Sequence, residues 1–128
     1  ASDVYKRQLE KVGGFDPTIR IEDYFVELRI ARAGYFIDIL EEPLALYRVH
    51  GSNTYKNRRL MIDTELAIYQ RFSDHPGYEA TRLRYLNAMF AKVANEDRAL
   101  AGELLAQIPW RSRNLKTLKG LWRYWLKR

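Results

Sequence analysis

Three short stretches in the first 53 residues hold side chains suited to chemistry: Gly13-Gly14-Phe15-Asp16, then Glu22-Asp23, then Tyr47-Arg48-Val49-His50-Gly51-Ser52-Asn53. Two glycines let backbone approach a ligand closely. An acidic pair can supply a general base, and an Arg with a His two residues on can meet phosphate and metal. Together they read as half of an active site.

The elements that must position these groups follow from local signals. Val12 to Pro17 is a turn, because Gly tolerates positive φ and Pro17 pushes Asp16 out of the helical region. Glu22-Asp23 opens an amphipathic helix that runs to about Ala33 and stops at Gly34 in the C′ position. Its apolar residues cover most of the circumference, which predicts a largely buried helix rimmed by Glu27, Arg29 and Arg32. Acids in a first helical turn also complement the macrodipole, so the pair has a purely structural reading beside the catalytic one. Tyr35 to Leu40 reads as a short strand, Glu41-Glu42-Pro43 as a solvated turn, and Leu44 to Val49 as a second extended piece. Alternate residues of an extended segment share a face, so Arg48 and His50 would point into one cleft.

The text LEKVGGFDPTIRIEDYFVELRIARAGYFIDILEEPLALYRVHGSN, from Leu9 to Asn53, resembles the C-terminal part of the catalytic domain of family 2 glycosyltransferases, inverting enzymes that use nucleotide-diphosphate sugars. The resemblance implies an α/β fold class: the C-terminal fragment of a GT-A-type transferase domain, short strands plus helix, followed by a mainly α-helical extension. It implies that Asp23 is the catalytic base, supported by Glu22, and that Gly13, Gly14 and Asp16 lie near the donor sugar. Arg48 would pair with the diphosphate. His50 would complete the shell of a divalent metal, Mg or Mn, whose other ligands lie in an upstream Asp-x-Asp motif that this chain does not contain.

The implied reaction moves a sugar from a nucleotide-diphosphate donor to a saccharide or lipid-linked acceptor with inversion, in cell-envelope or exopolysaccharide biosynthesis. The glycine motif arrives almost at once, without the strand-rich sequence that should precede it, and Ala1 is no initiator Met. The chain therefore reads as a fragment that is inactive alone. Residues Ser2 to Gln8 match the family poorly.

After Asn53 the texture is helical. Residues 55–109 read as a helical extension: Asn57 to Phe72, a break at Ser73-Asp74-His75-Pro76-Gly77, then Tyr78 to Asn95 and Glu96 to Gln107. Leu83, Leu86, Phe90 and Val93 form one apolar stripe, and Leu100, Leu104 and Ile108 form another. His75, with no second ligand at metal spacing, belongs to a surface loop.

Residues 110–128 contain Arg111, Arg113, Lys116, Lys119, Arg123, Lys127 and Arg128 and no acid, interleaved with Trp110, Leu115, Leu118, Leu121, Trp122, Trp125 and Leu126. This is the pattern of a basic amphipathic helix on an anionic membrane surface, with Trp at the interface. Packing against another domain is a second account. Nucleic-acid binding has the least support, since no reading motif accompanies the basic and aromatic residues.

Composition bounds the rest. At 128 residues with 47% hydrophobic and 13% aromatic side chains, the chain can bury a core. The absence of cysteine excludes disulfides and thiolate metal sites. No apolar run approaches the length needed to span a bilayer. The expected location is cytoplasmic, peripheral at the inner face of the cell membrane. The rival function is a non-enzymatic, basic helical module that binds a membrane surface or nucleic acid through residues 110–128.

Overall fold

The computed structural model describes the backbone of residues 2–39, 41–46, 48–49, 51 and 53–126, with their side chains except at 2–5, 54 and 126. The described residues form six α-helices: α1 (Ser2–Lys11), α2 (Glu22–Arg32), α3 (Arg58–Gln70), α4 (Tyr78–Val93), α5 (Arg98–Ala106) and α6 (Leu115–Leu126). Short 3₁₀ turns occupy Thr54–Lys56 and Trp110–Ser112. The chain divides into two compact units, residues 1–68 and 69–128, with the boundary near the end of α3.

In the first unit α1 packs on α2. Both helices end in the same way. At the end of α1 the Gly13 N–H donates to Glu10 O (2.9 Å) and the Gly14 N–H to Leu9 O (2.9 Å). At the end of α2 the Gly34 N–H donates to Ala31 O (3.0 Å) and the Tyr35 N–H to Ile30 O (3.2 Å). Each pair is a Schellman motif, in which a left-handed C′ residue turns the chain back over the last carbonyls. Gly13 and Gly34 supply the left-handed φ of 85° and 84°. Ile19, Phe25, Val26, Ile62 and Ile68 are this unit's buried apolar residues.

The second unit is built around α4, which packs on both α5 and α6. Its core holds Leu86, Phe90, Val93, Leu100, Ala101, Leu104 and Ile108, at the spacings that the two apolar stripes predict. Asp97 caps α5, its carboxylate accepting the Leu100 N–H at 2.9 Å. Asn114 caps α6, accepting from the Lys116 N–H at 2.9 Å and the Thr117 N–H at 3.3 Å. Thr117 Oγ1 accepts the Asn114 N–H in return, which completes a reciprocal capping box.

The expected α/β class, a GT-A-type fragment with short strands, is overturned: the chain is 62% helix with no strand and no sheet among the described residues. Residues 35–39 and 41–46 are not helical, as the sequence suggests, but they pair with nothing that would make a ladder. Local β-propensity at Tyr35, Phe36, Ile37 and Ile39 does not suffice, because strands draw their stability from cross-strand pairs and a covered face. Here Phe36 and Leu46 are fully exposed. Leu40 and Tyr47, within the two expected strands, lie outside the described residues.

Helix α1 is the second departure. The sequence reading assigns no element before Val12, yet Ser2–Lys11 is helical. Lys11 in its last turn, followed two positions later by a glycine, was the available stop signal.

Candidate functional site

The expected glycine loop is the C-terminal stop of α1, so the conformation of Gly13 is accounted for by helix termination. The loop is also tied to α2. Arg29, on the third turn of that helix, donates from Nη1 to Gly14 O at 3.0 Å while its guanidinium lies 5.3 Å from the centre of the Phe25 ring. Beyond the loop, Asp16 folds the chain locally: one carboxylate oxygen accepts from the Thr18 N–H (2.9 Å) and the Thr18 hydroxyl (2.6 Å). The Ile19 N–H closes the turn onto Asp16 O at 3.1 Å and carries the Ile19 side chain into the core. Asp16 therefore has a turn-forming role in which its carboxylate faces Thr18.

Glu22 and Asp23 stand in the first turn of α2, both exposed. The N-cap residue Ile21 has no side chain able to satisfy the free N–H groups there, and no side-chain cap bond is formed. Acidic charge in this turn complements the helix dipole. Asp23 Oδ1 accepts the Tyr24 N–H at 2.7 Å. Its carboxylate is accessible to a hydroxyl from solvent.

Gly13, Gly14 and Asp16 thus form one loop, pinned by Arg29 to the helix that bears Glu22 and Asp23. Arg48 lies apart in sequence on the exposed segment that follows α2, with its carbonyl accepting from Asn53 Nδ2 at 3.2 Å. His50 lies outside the described residues. Among the described residues no three His, Asp or Glu side chains gather where they could hold a metal ion. His75 is exposed, its Nδ1 accepting the Gly77 N–H at 3.0 Å to shape the turn before α4.

The polar network that sequence reading missed is in the second unit. Asn87, buried on α4, donates from Nδ2 to Leu83 O (2.7 Å) and Ser112 O (3.1 Å), and its Oδ1 accepts from the Asn114 N–H (3.3 Å) and the Thr117 hydroxyl. One amide therefore joins α4 to the 3₁₀ turn and to the cap of α6. Asn114 just ahead of an apolar helical run was a legible cap signal. The long-range partner was not.

Comparison with protein-family models, with curated proteins and with solved structures finds no match for this chain. No helix among the described residues is long and apolar enough to cross a membrane.

Proposed function

We propose that this chain carries the acceptor-activating part of a nucleotide-sugar transferase of the inverting type, with Asp23 as the general base. The observation that carries this reading is the placement of Asp23: exposed in the first turn of α2, on a helix whose third turn is hydrogen-bonded to the preceding loop. The order of the three motifs between Leu9 and Asn53 supports it.

A sugar hydroxyl is a weak nucleophile until a carboxylate at about 3 Å takes its proton. In the proposed step the acceptor O–H proton passes to the Asp23 carboxylate as the oxygen attacks the anomeric carbon. The bond from that carbon to the diphosphate oxygen breaks with its electron pair leaving on the nucleotide diphosphate, and the configuration inverts. Glu22, its neighbour in the first turn of α2, is the supporting acid in this reading. Motif order alone assigns Arg48 to the diphosphate and His50 to a divalent cation. This reading places the chain at the cytoplasmic face of the cell membrane, acting on a saccharide or lipid-linked acceptor for the cell envelope or an exopolysaccharide.

The test is donor turnover by the protein in its full natural length, with UDP-, GDP- and dTDP-sugars, before and after Asp23→Asn. The expected loss in kcat is about 10²–10⁴-fold, with the donor KM unchanged. Undiminished turnover by the Asn variant would remove Asp23 as base, and no turnover of any donor by the unaltered protein would remove the transferase reading.

A further inference from the structure

We infer that α6 is a membrane-surface helix that docks, in its folded place on α4, onto anionic lipid through Leu115, Leu118, Trp122 and Trp125. Successive residues of an α-helix advance by about 100°, and that rotation divides α6 into three faces. Thr117, Gly120 and Tyr124 share the first. Thr117 and Gly120 are buried, and Tyr124 packs against Phe90 with ring centres 6.2 Å apart. This face holds the helix to α4.

Leu115, Leu118, Trp122 and Trp125 share a second face, within an arc of about 80°. All four are exposed, the two tryptophans by 72% and 67%. Large apolar side chains gathered in one stripe mark an interaction surface rather than ordinary surface scatter.

Lys116, Lys119 and Arg123 make the third face, between the other two, and all are exposed. Charge complementarity identifies the occupant. The last acid of the chain is Glu103, and residues 110–128 hold seven cations. Without them the chain's 22 Lys and Arg fall to 15, against 16 Asp and Glu, so the net charge of +6 resides in this segment. A nonpolar stripe with tryptophans, edged by cations and lacking acids, matches the boundary between acyl chains and negative headgroups. Trp suits that depth because its ring is apolar and its N–H still finds polar partners. The geometry also orients the protein: α6 lies flat, its apolar stripe turned to the acyl chains, and α4 is on the side away from the lipid.

The chain's three tryptophans, Trp110, Trp122 and Trp125, all lie in this segment, so intrinsic fluorescence reads it directly. The full chain is titrated with vesicles of phosphatidylcholine and with vesicles containing phosphatidylglycerol, followed by emission and co-sedimentation. Expected are a blue shift and sedimentation with the anionic vesicles only. Trp122→Ala with Trp125→Ala should abolish binding while leaving the far-ultraviolet circular dichroism intact. Lys116→Gln with Lys119→Gln should weaken it about 30-fold, roughly fivefold per lysine. Equal binding to neutral vesicles, or no binding at all, overturns the inference. So does a blue shift that grows with protein concentration in the absence of lipid, which would make a second copy the occupant. Displacement from vesicles by a single-stranded oligonucleotide at lower concentration than lipid would assign the face to nucleic acid instead.

Discussion

The Thr117 hydroxyl of α6 donates to Asn87 Oδ1 of α4, across a buried interface where both side chains are excluded from solvent. The same Asn87 oxygen accepts the Asn114 N–H at the cap of α6, so the helix start and the helix contact are set by one side chain. A buried amide with partners on both its oxygen and its nitrogen makes the position of α6 on α4 specific, because any slip would leave polar atoms unpaired.

Asn87→Ala is therefore expected to cost about 2–4 kcal/mol, more than a single hydrogen bond, since it removes four bonds at once and leaves the buried Thr117 hydroxyl without its acceptor. Urea unfolding followed by circular dichroism measures it. Asn87→Asp keeps the acceptor but loses both donors and sets a buried carboxylate against the Leu83 and Ser112 carbonyls, and should cost at least as much as the Ala variant at neutral pH. A loss below about 0.5 kcal/mol for Ala would mean that water replaces the amide.

Gly120 allows α6 to approach α4 closely. A Cβ there would stand 2.6 Å from Phe90 Cε1 and 3.1 Å from Ala91 Cα, the second a backbone atom that cannot swing aside. Gly120→Ala should destabilise the second unit by about 1–3 kcal/mol through overpacking, even though alanine is the better helix former by about 1 kcal/mol. Combining it with Phe90→Leu should recover part of that loss relative to the sum of the two single changes, as a thermal double-mutant cycle would show.

Gly13 separates the two accounts of the first loop. With φ at 85°, Gly13→Ala should lower stability by about 1–2 kcal/mol, the cost of a left-handed residue with a Cβ. Arg29 Nη2 would also have to retreat from the new atom, but it is the end of a flexible side chain. A variant of unchanged stability with impaired donor binding would return the glycine to the ligand-approach role. Reduced stability with unimpaired binding would leave it as a helix stop.

The helical half of the chain was legible because its signals are local and repeat at 3.6 residues. Leu86, Phe90 and Val93, then Leu100, Leu104 and Ile108, stand at core spacing, and all six are buried. The stop at Gly34 and the break before Tyr78 were equally readable, being backbone chemistry within a few residues. Tyr35 to Leu40 read as a short strand and Leu44 to Val49 as a second extended piece, and no strand forms there among the described residues. A strand exists through its partner, and periodicity within one segment does not supply one.

From Glu22 onward the order of the helices, their apolar stripes, the acids at the start of α2 and the concentration of positive charge after Pro109 are legible in the sequence, whereas α1 is not. Tertiary structure alone decided which side of each stripe finds a partner. Residues 110–128 show alternating cations and apolar groups, but only packing on α4 puts Thr117, Gly120 and Tyr124 inward and leaves Trp122 and Trp125 in water. It likewise showed that Gly13 ends a helix, and that a lone asparagine thirty residues before Thr117 holds it. The physical reason is range: propensity and capping act within a turn or two, whereas burial and polar pairing depend on residues brought together from distant parts of the chain.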